Sequence, residues 1–526
     1  MSTYQWFAFF LIIQVIHYLG TWKMYVAAGR KSWEAAVPIY NAIVLMKIIN
    51  RPTWYTILLF IPVVNLIMFA VVWVETLRSF GKNTSLDTFL GIATFGLYIY
   101  YINYSQKLNY IKDRSLKPTN FAADTLSSIA FALVVATIVH TYVIQPFQIP
   151  TSSLEKSLLV GDFLFVSKFH FGARPQMTAV AAPMLHDTLP LLNVKSYTSF
   201  PQYPYYRLPG FQKIKNNDIV VFNWPSDTLF NMYIKADKRY EKPIDKKTNY
   251  VKRCVGIAGD SLQIKDGIVF INGKELILPE RAKPQYSYKL SLDGKTSMNF
   301  DYLMQELDIT DGYQQFTQDS VYLAAVNFES AARLKNVPGI TSVTRVINKV
   351  SEDGIFPDFK DGNASTTRNW SNDNFGPIYI PQAGKTVKLD SKSLPFYKTI
   401  IKEYEGNDLK VTGNEIRING QVATTYTFKQ DYFWMMGDNR HNSLDARYFG
   451  FTPENHIVGK PVFIWMSLDP NGKGINKIRW NRLFTTVSGE GEPQSFFKIF
   501  LGLLALYFVG EYFWKKRSPP TPKGGA

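Results

Sequence analysis

Four short stretches of the chain carry residue types that could do chemistry. In chain order they are Pro150-Thr151-Ser152-Ser153-Leu154 with Gly161-Asp162 close behind, "NYVKRCVGIAGD" at 249–260, "MMGDNRHNSLDARYFGF" at 435–451 and "VGKPVFIW" at 458–465. Serine is a weak nucleophile until a base takes its proton, and lysine is such a base only when burial keeps its amine neutral. A serine and a lysine can therefore form a hydrolytic site without a histidine.

Each stretch also has a purely structural interpretation. Two serines after a proline are typical of a turn, Lys252-Arg253 of an exposed strand edge, and Gly-Asp-Asn of a tight turn. The fourth stretch is apolar and predicts a strand. The order of the four stretches, directly after a long apolar segment, favours a shared catalytic role over four unrelated turns and edges.

This order of motifs resembles the bacterial type I signal peptidases, which are membrane-bound serine proteases with a Ser–Lys dyad. "QPFQIPTSSLEKSLLVGDFLFVSKF" is similar to the family's serine region, in which the second serine of Pro-Ser-x-Ser-Met is the nucleophile. The resemblance therefore implies Ser153, and not Ser152, as the nucleophile. "YVKRCVGIAGD" is similar to the lysine region and implies Lys252 as the general base. The resemblance covers 126–169, 214–276 and 414–484.

The loop "GDNRHNSLDARYFGF" resembles the family's third motif and implies further roles. Ser443 matches the residue that orients the lysine by a hydrogen bond, and Asp445 and Arg447 match a structural ion pair. The family also implies an oxyanion hole formed by the Thr151 hydroxyl and the backbone N–H of Ser153.

The chain departs from the family pattern at four positions. Leu154 stands for a methionine, which conserves volume. Ala258 replaces a proline, and Ala446 replaces a serine. Thr151 keeps the hydroxyl of the oxyanion position but adds a methyl group. These departures bear on rate and pocket shape, and none removes a member of the dyad.

The resemblance also implies the substrate, because a secretory signal ends in a small-residue A-x-A-like site just beyond its apolar core. The implied pocket for the small residue is lined by Ile149, Leu154, Leu158 and Val251, with Phe147 bordering the neighbouring pocket. The preprotein is expected to lie extended against strands and to bind mostly through its backbone.

Five segments are apolar enough to enter a bilayer, which takes roughly 20 residues to cross. They are Trp6–Leu19, Trp54–Leu77, Phe89–Tyr104, Leu126–Ile144 and Phe496–Trp514, with 38–49 as an interfacial or re-entrant piece. The first lacks a basic start and a small-residue cleavage site, which indicates an anchor. Basic residues precede the fourth segment and follow the fifth in "KKRSPPTPKGGA", so the positive-inside rule predicts that 145–495 is extracytoplasmic.

The region between the last two apolar segments is rich in predicted strands. Runs of β-branched and aromatic residues at 218–225, 260–276 and 414–428, with Asn-Gly turns at 272–273 and 419–420, indicate antiparallel hairpins. "ESAARLKNVPGITSVTRVI" at 329–347 predicts a short helix, a break and a strand. We therefore expect a mainly β catalytic domain with antiparallel, barrel-like sheets, an inserted α+β subdomain and an α-helical transmembrane bundle.

The domain boundaries follow from these patterns. We expect an N-terminal multi-span region at 1–120, a transmembrane anchor at 121–146, the catalytic β domain in two parts at 147–279 and 406–490, the inserted α+β subdomain at 280–405, and a C-terminal transmembrane helix with a basic cytoplasmic tail at 491–526. A Pro/Tyr-rich insertion at 171–212 and the inserted subdomain are expected to serve packing, with contact to a partner or substrate as the alternative. The protein is thus predicted to be a multi-pass protein of the cytoplasmic membrane.

Composition narrows the choice of partners. The formal charge of +16 accompanies 46% hydrophobic residues, so the basicity belongs to membrane-flanking loops and no nucleic-acid partner is predicted. The expected partners are signal-peptide-bearing preproteins and membrane lipids, with the secretion translocon close by. One cysteine excludes an intramolecular disulfide, and six scattered histidines predict neither a metal site nor a cofactor.

Three other functions compete with this interpretation. A non-catalytic membrane scaffold would not need Ser153 or Lys252. A transporter built on the first four segments predicts ionisable residues within the spans, where Glu75 and His17 occur. A cysteine protease would use Cys254, but no histidine motif lies nearby, and Cys254 is more simply a small core residue.

Overall fold

The computed structural model describes residues 1–117, 121–230, 239–350, 354–357 and 369–517, and the chain divides into two compact units. The first unit comprises Met1–Ile144, Gly172–Gly210 and Asp227–Thr248, and the second comprises Gln145–Phe171, Phe211–Ser226 and Asn249–Ala526. Within the described ranges the α-helices are α1 Thr3–Ala27, α2 Tyr40–Ile48, α3 Tyr55–Leu58, α4 Val64–Ser79, α5 Ser85–Ala93, α6 Tyr98–Ser105, α7 Phe121–Ile138, α8 Phe300–Glu306, α9 Phe328–Leu334, α10 Leu394–Thr399, α11 Ala446–Phe449 and α12 Phe497–Arg517.

Three of these helical segments are long and apolar enough to cross a membrane. They are α1, α7 with its π-helical extension to Val143, and α12 up to Lys516. The pair α5 and α6 makes a fourth candidate if it is counted as one span. The protein is therefore a membrane protein. Most of the predicted basic tail, 518–526, lies outside the described residues.

Two of the five expected segments are not single helices. The segment 54–77 is divided into α3 and α4, because Pro62 cannot continue a helix and Val63 has a φ of 67°. The segment 89–104 is divided into α5 and α6, which are bent by 118° at Phe95 and Gly96. Hydropathy detects the apolar runs but not these breaks, so the structure differs here from the sequence prediction.

Glu75, which the transporter hypothesis singled out, is a buried residue near the end of α4. It forms ion pairs with Arg114, with Arg51 at 3.3 Å and with Arg78 at 3.9 Å. A buried carboxylate stays charged only when cations compensate the lost hydration. These pairings explain Glu75 as a structural residue.

The insertion at 172–210 belongs to the same compact unit as the N-terminal helices. The Trp6 indole N–H, in α1, donates to the carbonyl oxygen of Gln202 at 2.9 Å, and its ring stacks on Tyr203 with centroids 4.3 Å apart. The expected packing role of this insertion is thus confirmed, and its partner is the N-terminal bundle.

The strands of the described chain are mostly antiparallel. They are β1 Ile144–Gln148, β2 Asp162–Ser167, β3 Ile219–Asn223, β4 Asn249–Gly256, β5 Ser261–Lys265, β6 Ile268–Ile271, β7 Lys274–Glu275, β8 Gln285–Leu292, β9 Tyr313–Thr317, β10 Ser320–Asn327, β11 Ile340–Arg345, β12 Phe375–Tyr379, β13 Thr386–Lys388, β14 Leu409–Thr412, β15 Glu415–Ile418, β16 Gln421–Val422, β17 Thr425–Thr427, β18 Tyr432–Met436, β19 Thr452–Pro453, β20 Ile457–Ser467 and β21 Thr485–Thr486. The predicted fold class is confirmed.

The central sheet has the strand order β1-β2-β20-β3-β4-β18-β19, and β21 pairs with β20. Every residue of β3 and of β18 is buried, which explains their continuous apolar sequences. Phe222, Trp434 and Phe428 belong to the largest hydrophobic cluster, which packs on this sheet. The sheet therefore supplies a rigid frame for the segments that leave its edges.

The predicted hairpins are present at both Asn-Gly positions. Asn272 and Gly273 have φ of 52° and 80°, and Asn419 and Gly420 have φ of 52° and 82°. Two successive positive φ values are the signature of the type I′ turn, which Asn-Gly adopts with little strain.

The inserted α+β part forms a separate four-stranded sheet, β11-β8-β10-β9, covered by α8 and α9. The predicted helix, break and strand at 329–347 are found as α9 and β11. Phe375, Leu394 and Ile401, however, pack in the core of the central sheet. We therefore propose that the inserted subdomain ends after β11, before the predicted boundary at 405.

Candidate active site

The serine motif forms a tight turn between β1 and β2. Ser152–Leu154 adopt one turn of 3₁₀-helix, with Thr151 as the preceding cap residue. The chain then returns on itself, since Ile149 N–H donates to the Asp162 carbonyl and Gly161 N–H donates to the Ile149 carbonyl, each at 2.9 Å. These two bonds close the base of the loop that presents the serines.

Gly161 and Asp162 have structural roles in this loop. Gly161 has a φ of 89°, and a Cβ there would lie 1.9 Å from the Leu468 carbonyl oxygen. The Asp162 carboxylate accepts from Ser467 Oγ at 2.6 Å and from Arg482 Nη2 at 2.5 Å. Gly161 and Asp162 thus hold the start of β2 against the end of β20.

Lys252 lies on β4, where it is opposite Val220 of β3. Its Nζ is 2.5 Å from Ser153 Oγ, and the lysine is only 4% exposed. Burial lowers the pKa of Lys252 from 10.5 to about 8, against the opposing effect of Asp445 and Asp438. A substantial fraction of this amine is therefore neutral at mildly alkaline pH, as a proton acceptor must be.

The loop after β18 holds the backbone of the serine turn. Asn439 N–H donates to the Ser153 carbonyl at 3.1 Å, and Asn439 Nδ2 donates to the Ser152 carbonyl at 3.3 Å. Asn442 Nδ2 donates to Ser152 Oγ at 3.2 Å. The two serines thus differ in environment, because the hydroxyl of Ser152 faces an amide and that of Ser153 faces the lysine.

Ser443 lies beside the serine turn but does not make its expected hydrogen bond. A Cβ on Gly437 would be 2.2 Å from Ser443 Oγ and 2.5 Å from the Ser153 carbonyl oxygen, so all three groups are in close proximity. Ser443 Oγ is buried without a hydrogen-bond partner in the described part of the chain. The bond to Lys252 is therefore absent from this structure, and an orienting role for Ser443 stays a prediction.

A buried ion pair links the lysine strand to this loop. Arg253 donates from Nε and Nη2 to the two carboxylate oxygens of Asp438 at 2.8 and 2.7 Å, and Ser157 Oγ donates to the same carboxylate at 2.5 Å. Burial alone would raise the pKa of Asp438, but Arg253, Ser157 and Arg440 together outweigh burial, so the pKa lies below its usual value. The pair joins β4, the loop and the end of the serine turn.

Asp445 and Arg447 form a second buried ion pair. Arg447 Nε and Nη2 donate to the Asp445 carboxylate at 2.9 and 2.8 Å. Asp445 also accepts from Gly437 N–H at 3.0 Å, and Arg447 Nη2 donates to the Arg440 carbonyl at 2.6 Å. Burial alone would raise the pKa of Asp445, but Arg447, the Gly437 N–H and Lys252 together bring it below the usual value. These contacts connect Gly437, at the start of the loop, with Asp445 and Arg447 at its end.

The expected oxyanion groups have no competing acceptor among the described residues. Neither the Thr151 hydroxyl nor the Ser153 N–H donates a hydrogen bond to a protein group there. Thr151 is exposed to solvent, whereas Ser153 is 9% exposed. Both donors are thus available to a bound carbonyl oxygen.

The expected pocket residues lie in one hydrophobic cluster around the serine turn. Ile149, Leu154 and Leu158 are buried in it, and Phe147 and Val251 pack against it while partly exposed. This cluster is separate from the main core of the sheet. Val251 of this cluster and Lys252 are neighbours on β4, so their side chains lie on opposite faces of the strand.

Sequence reasoning gave no role to several residues that hold this site together. In the sequence, Asp438, Asn439 and Asn442 are recognisable only as members of a polar loop, and Arg253 only as the neighbour of Lys252. The dense polar composition of 437–447 was the available signal, because such a run between apolar strands must satisfy its hydrogen bonds with partners distant in sequence.

Two other arrangements resemble catalytic groups. His441 Nε2 contacts Asp373 at 2.9 Å and its Nδ1 contacts Ser287 Oγ at 2.9 Å, but Ser287 is 1% exposed and its hydroxyl donates to the Ala324 carbonyl. Cys254 is fully buried, and burial raises the pKa of its thiol far above the usual range. Neither group is accessible to a substrate, which leaves the cysteine-protease alternative without support.

Comparison with known proteins shows to which class of enzyme the chain belongs. The family described as "Signal peptidase, peptidase S26" matches residues 122–332 and 379–466, which is more than half of the chain. This match makes the protein a serine endopeptidase. The chain belongs to the signal peptidase family, and within it to the bacterial type I signal peptidases.

Several curated proteins named Signal peptidase I are similar to the chain. The protein of Buchnera aphidicola subsp. Baizongia pistaciae is 24% identical over 68% of this chain and 82% of its own length. That of Haemophilus influenzae is 23% identical over 71% of this chain and 78% of its own length. That of Rickettsia canadensis is 24% identical over 31% of this chain and 48% of its own length. Residues 33–113 match a family of unknown function, DUF5684.

Proposed function

We propose that the protein cleaves signal peptides from exported preproteins with a Ser–Lys dyad, in which Ser153 is the nucleophile and Lys252 the general base. The observation that carries this proposal is the buried 2.5 Å contact between Ser153 Oγ and Lys252 Nζ. A general base must be partly neutral at the working pH. Burial gives Lys252 this property, and a lysine on the surface lacks it.

Hydrolysis of the scissile peptide bond requires the Ser153 hydroxyl, the Lys252 amine and one water molecule. Neutral Lys252 takes the hydroxyl proton of Ser153 while Oγ attacks the carbonyl carbon of the scissile bond. The Ser153 N–H and the Thr151 hydroxyl stabilise the oxyanion. The lysine then passes its proton to the leaving amine, which departs with the mature protein. Lys252 then takes a proton from water, whose oxygen attacks the acyl carbon. The ester bond to Ser153 breaks, Lys252 returns the proton to Oγ, and the signal peptide leaves with a free carboxyl group.

The hydrophobic cluster supports specificity for small residues. Ile149, Leu154 and Leu158 are buried together beside the serine turn, and we infer that this packing leaves only a shallow pocket for the substrate. An alanine fits such a pocket, and a larger side chain would have to displace well-packed atoms. We therefore infer cleavage after A-x-A-like sites.

The decisive experiment uses the full-length protein in detergent with a purified preprotein. N-terminal sequencing of the product should place the new terminus directly after an A-x-A-like site. Ser153→Ala should abolish this cleavage, whereas Ser152→Ala, the matched control in the same turn, should keep substantial activity. An inactive Ser152→Ala with an active Ser153→Ala would reject the assignment.

The proposed topology places 145–495 outside the cytoplasm, with membrane lipids around the helices and the secretion translocon nearby. The support is the basic flank at Lys112, Arg114 and Lys117 before α7. Single cysteines at positions 115 and 430, in a Cys254→Ala background, test it. Position 430 should react with an impermeant reagent in intact spheroplasts, and position 115 only after lysis. The reverse pattern would contradict the proposal.

A further inference from the structure

A carboxylate from the inserted subdomain reaches the loop that holds the catalytic serine. Asp311 lies between α8 and β9, in the four-stranded insert. Its Oδ2 accepts from Asn439 Nδ2 at 2.8 Å and from Asn442 Nδ2 at 3.1 Å. One carboxylate oxygen therefore fixes two side-chain amides that are three residues apart in another part of the sequence.

Both amides use their second hydrogen on the serine turn. Asn439 Nδ2 also donates to the Ser152 carbonyl, and Asn442 Nδ2 also donates to Ser152 Oγ. An amide nitrogen carries two donors, so the side-chain nitrogen of each asparagine has both donors used between Asp311 and the turn. Among the described residues, the hydrogen bonds of the Asp311 carboxylate go to these two asparagines, which in turn bond to the serine turn.

The same edge of the insert contacts the turn at neighbouring positions. Lys156 Nζ pairs with the Asp308 carboxylate at 2.6 Å, and Thr310 Oγ1 donates to Glu155 Oε1 at 3.5 Å. Lys156 has a φ of 71°, a conformation that non-glycine residues adopt only when their surroundings hold it. The residues from 308 to 311 thus constrain the turn on its C-terminal side.

We propose that Asp311 is a positioning residue for the peptidase reaction, holding Asn439 and Asn442 so that Ser153 stays aligned with Lys252. This inference rests on the proposed function, because it assumes that Ser153 is the nucleophile. It gives the inserted subdomain a task in catalysis beyond covering the sheet.

The expected effect follows from how the contacts are made. Hydrogen bonds to a charged carboxylate are shorter and stronger than neutral ones, so Asp311→Ala removes two strong restraints at once. A small misplacement of a reacting atom can cost roughly 100-fold in rate. Asp311→Asn keeps an oxygen that can accept from both amides, and it should recover most of the loss.

The test measures kcat, KM and thermal midpoint on the full-length protein in detergent. Asp311→Ala should lower kcat roughly 10- to 100-fold while KM changes less than about twofold, because alignment and not binding is lost. The matched control is Asp319→Ala in the same insert, whose carboxylate accepts from the exposed Thr317 hydroxyl in the hairpin between β9 and β10. Its kcat should equal that of the wild type, and both variants should keep their thermal midpoint.

A double-mutant cycle distinguishes positioning from direct action. If Asp311 acts through Asn442, Asp311→Ala combined with Asn442→Ala should be scarcely slower than Asp311→Ala alone. Effects that multiply, or a kcat of Asp311→Ala within twofold of the Asp319→Ala control, would overturn the inference. Cleavage by Ser153→Ala would instead reject the proposed function, so the two failures are distinguishable.

Discussion

Lys252 is the residue on which both activity and stability depend, and two substitutions separate its roles. Lys252→Met keeps the apolar length of the side chain without a base. Lys252→Arg keeps the charge, but a guanidinium does not give up its proton in a protein. Both variants should be inactive on a preprotein, with losses of several orders of magnitude, because the proton acceptor of the nucleophile is gone.

The stability change has the opposite sign to the activity change. The pKa of Lys252 falls from 10.5 in a solvated lysine to about 8 in the folded protein. At about 1.4 kcal/mol per unit, this shift makes the buried ammonium destabilising by about 3 kcal/mol near neutral pH. Lys252→Met should therefore raise the free energy of unfolding by about 3 kcal/mol while it abolishes cleavage.

The pH dependence of stability and of activity gives a second measurement of the pKa shift of Lys252. Between pH 8 and 10.5 the unfolded chain binds more protons at this site than the folded chain, so wild-type stability should rise with pH across that window. Lys252→Met should lack this rise in urea titrations. The rate of wild-type cleavage should fall about tenfold per unit below an apparent pKa near 8. A folded Lys252→Arg protein that cleaves at a near wild-type rate would refute the Ser–Lys mechanism.

Two further substitutions test the loop that carries the motif. Gly437→Ala should abolish cleavage, because the added methyl would lie 2.2 Å from Ser443 Oγ and 2.5 Å from the Ser153 carbonyl oxygen. Gly502→Ala, where the added methyl has open space around it, is the control. Equal activities of the two variants would contradict this packing. Arg253→Ala should lower the free energy of unfolding by about 3–5 kcal/mol in urea titrations, because it leaves the Asp438 carboxylate buried without its cation. A loss below 1 kcal/mol would show that the pair contributes little.

The sequence predicted the parts of the fold that depend on local signals. The Asn-Gly turns at 272–273 and 419–420, and the helix, break and strand at 329–347, follow from turn chemistry and residue type within a few positions. The order of the motifs identified the family, because a serine turn, a lysine strand and a polar loop are each recognisable in a short stretch. The family is confirmed by the comparisons, while the roles of Ser153 and Lys252 stay predictions.

The features that sequence reasoning missed depend on contacts between distant segments. Asp311 lies well over a hundred residues from both Ser152 and Asn442, and an aspartate in a loop carries no local sign of its partners. The bend at Phe95 and Gly96 divides a run that hydropathy treats as continuous. The position of the Ser443 hydroxyl is set by packing against Gly437, which no spacing rule describes.

The strand order of the central sheet has a consequence for biosynthesis. β20, which lies between β2 and β3, is made after nearly all of the other strands of the sheet. The serine turn precedes β2 and Lys252 lies on β4, so the two members of the proposed dyad are on pieces of sheet that no strand joins until residue 467 has been made. A nascent chain shorter than this can hold the proposed nucleophile and base together only through the contacts of the loop after β18, because the sheet is still open between β2 and β3. The continuous sheet around the proposed site is therefore completed after α7 has been made and before α12.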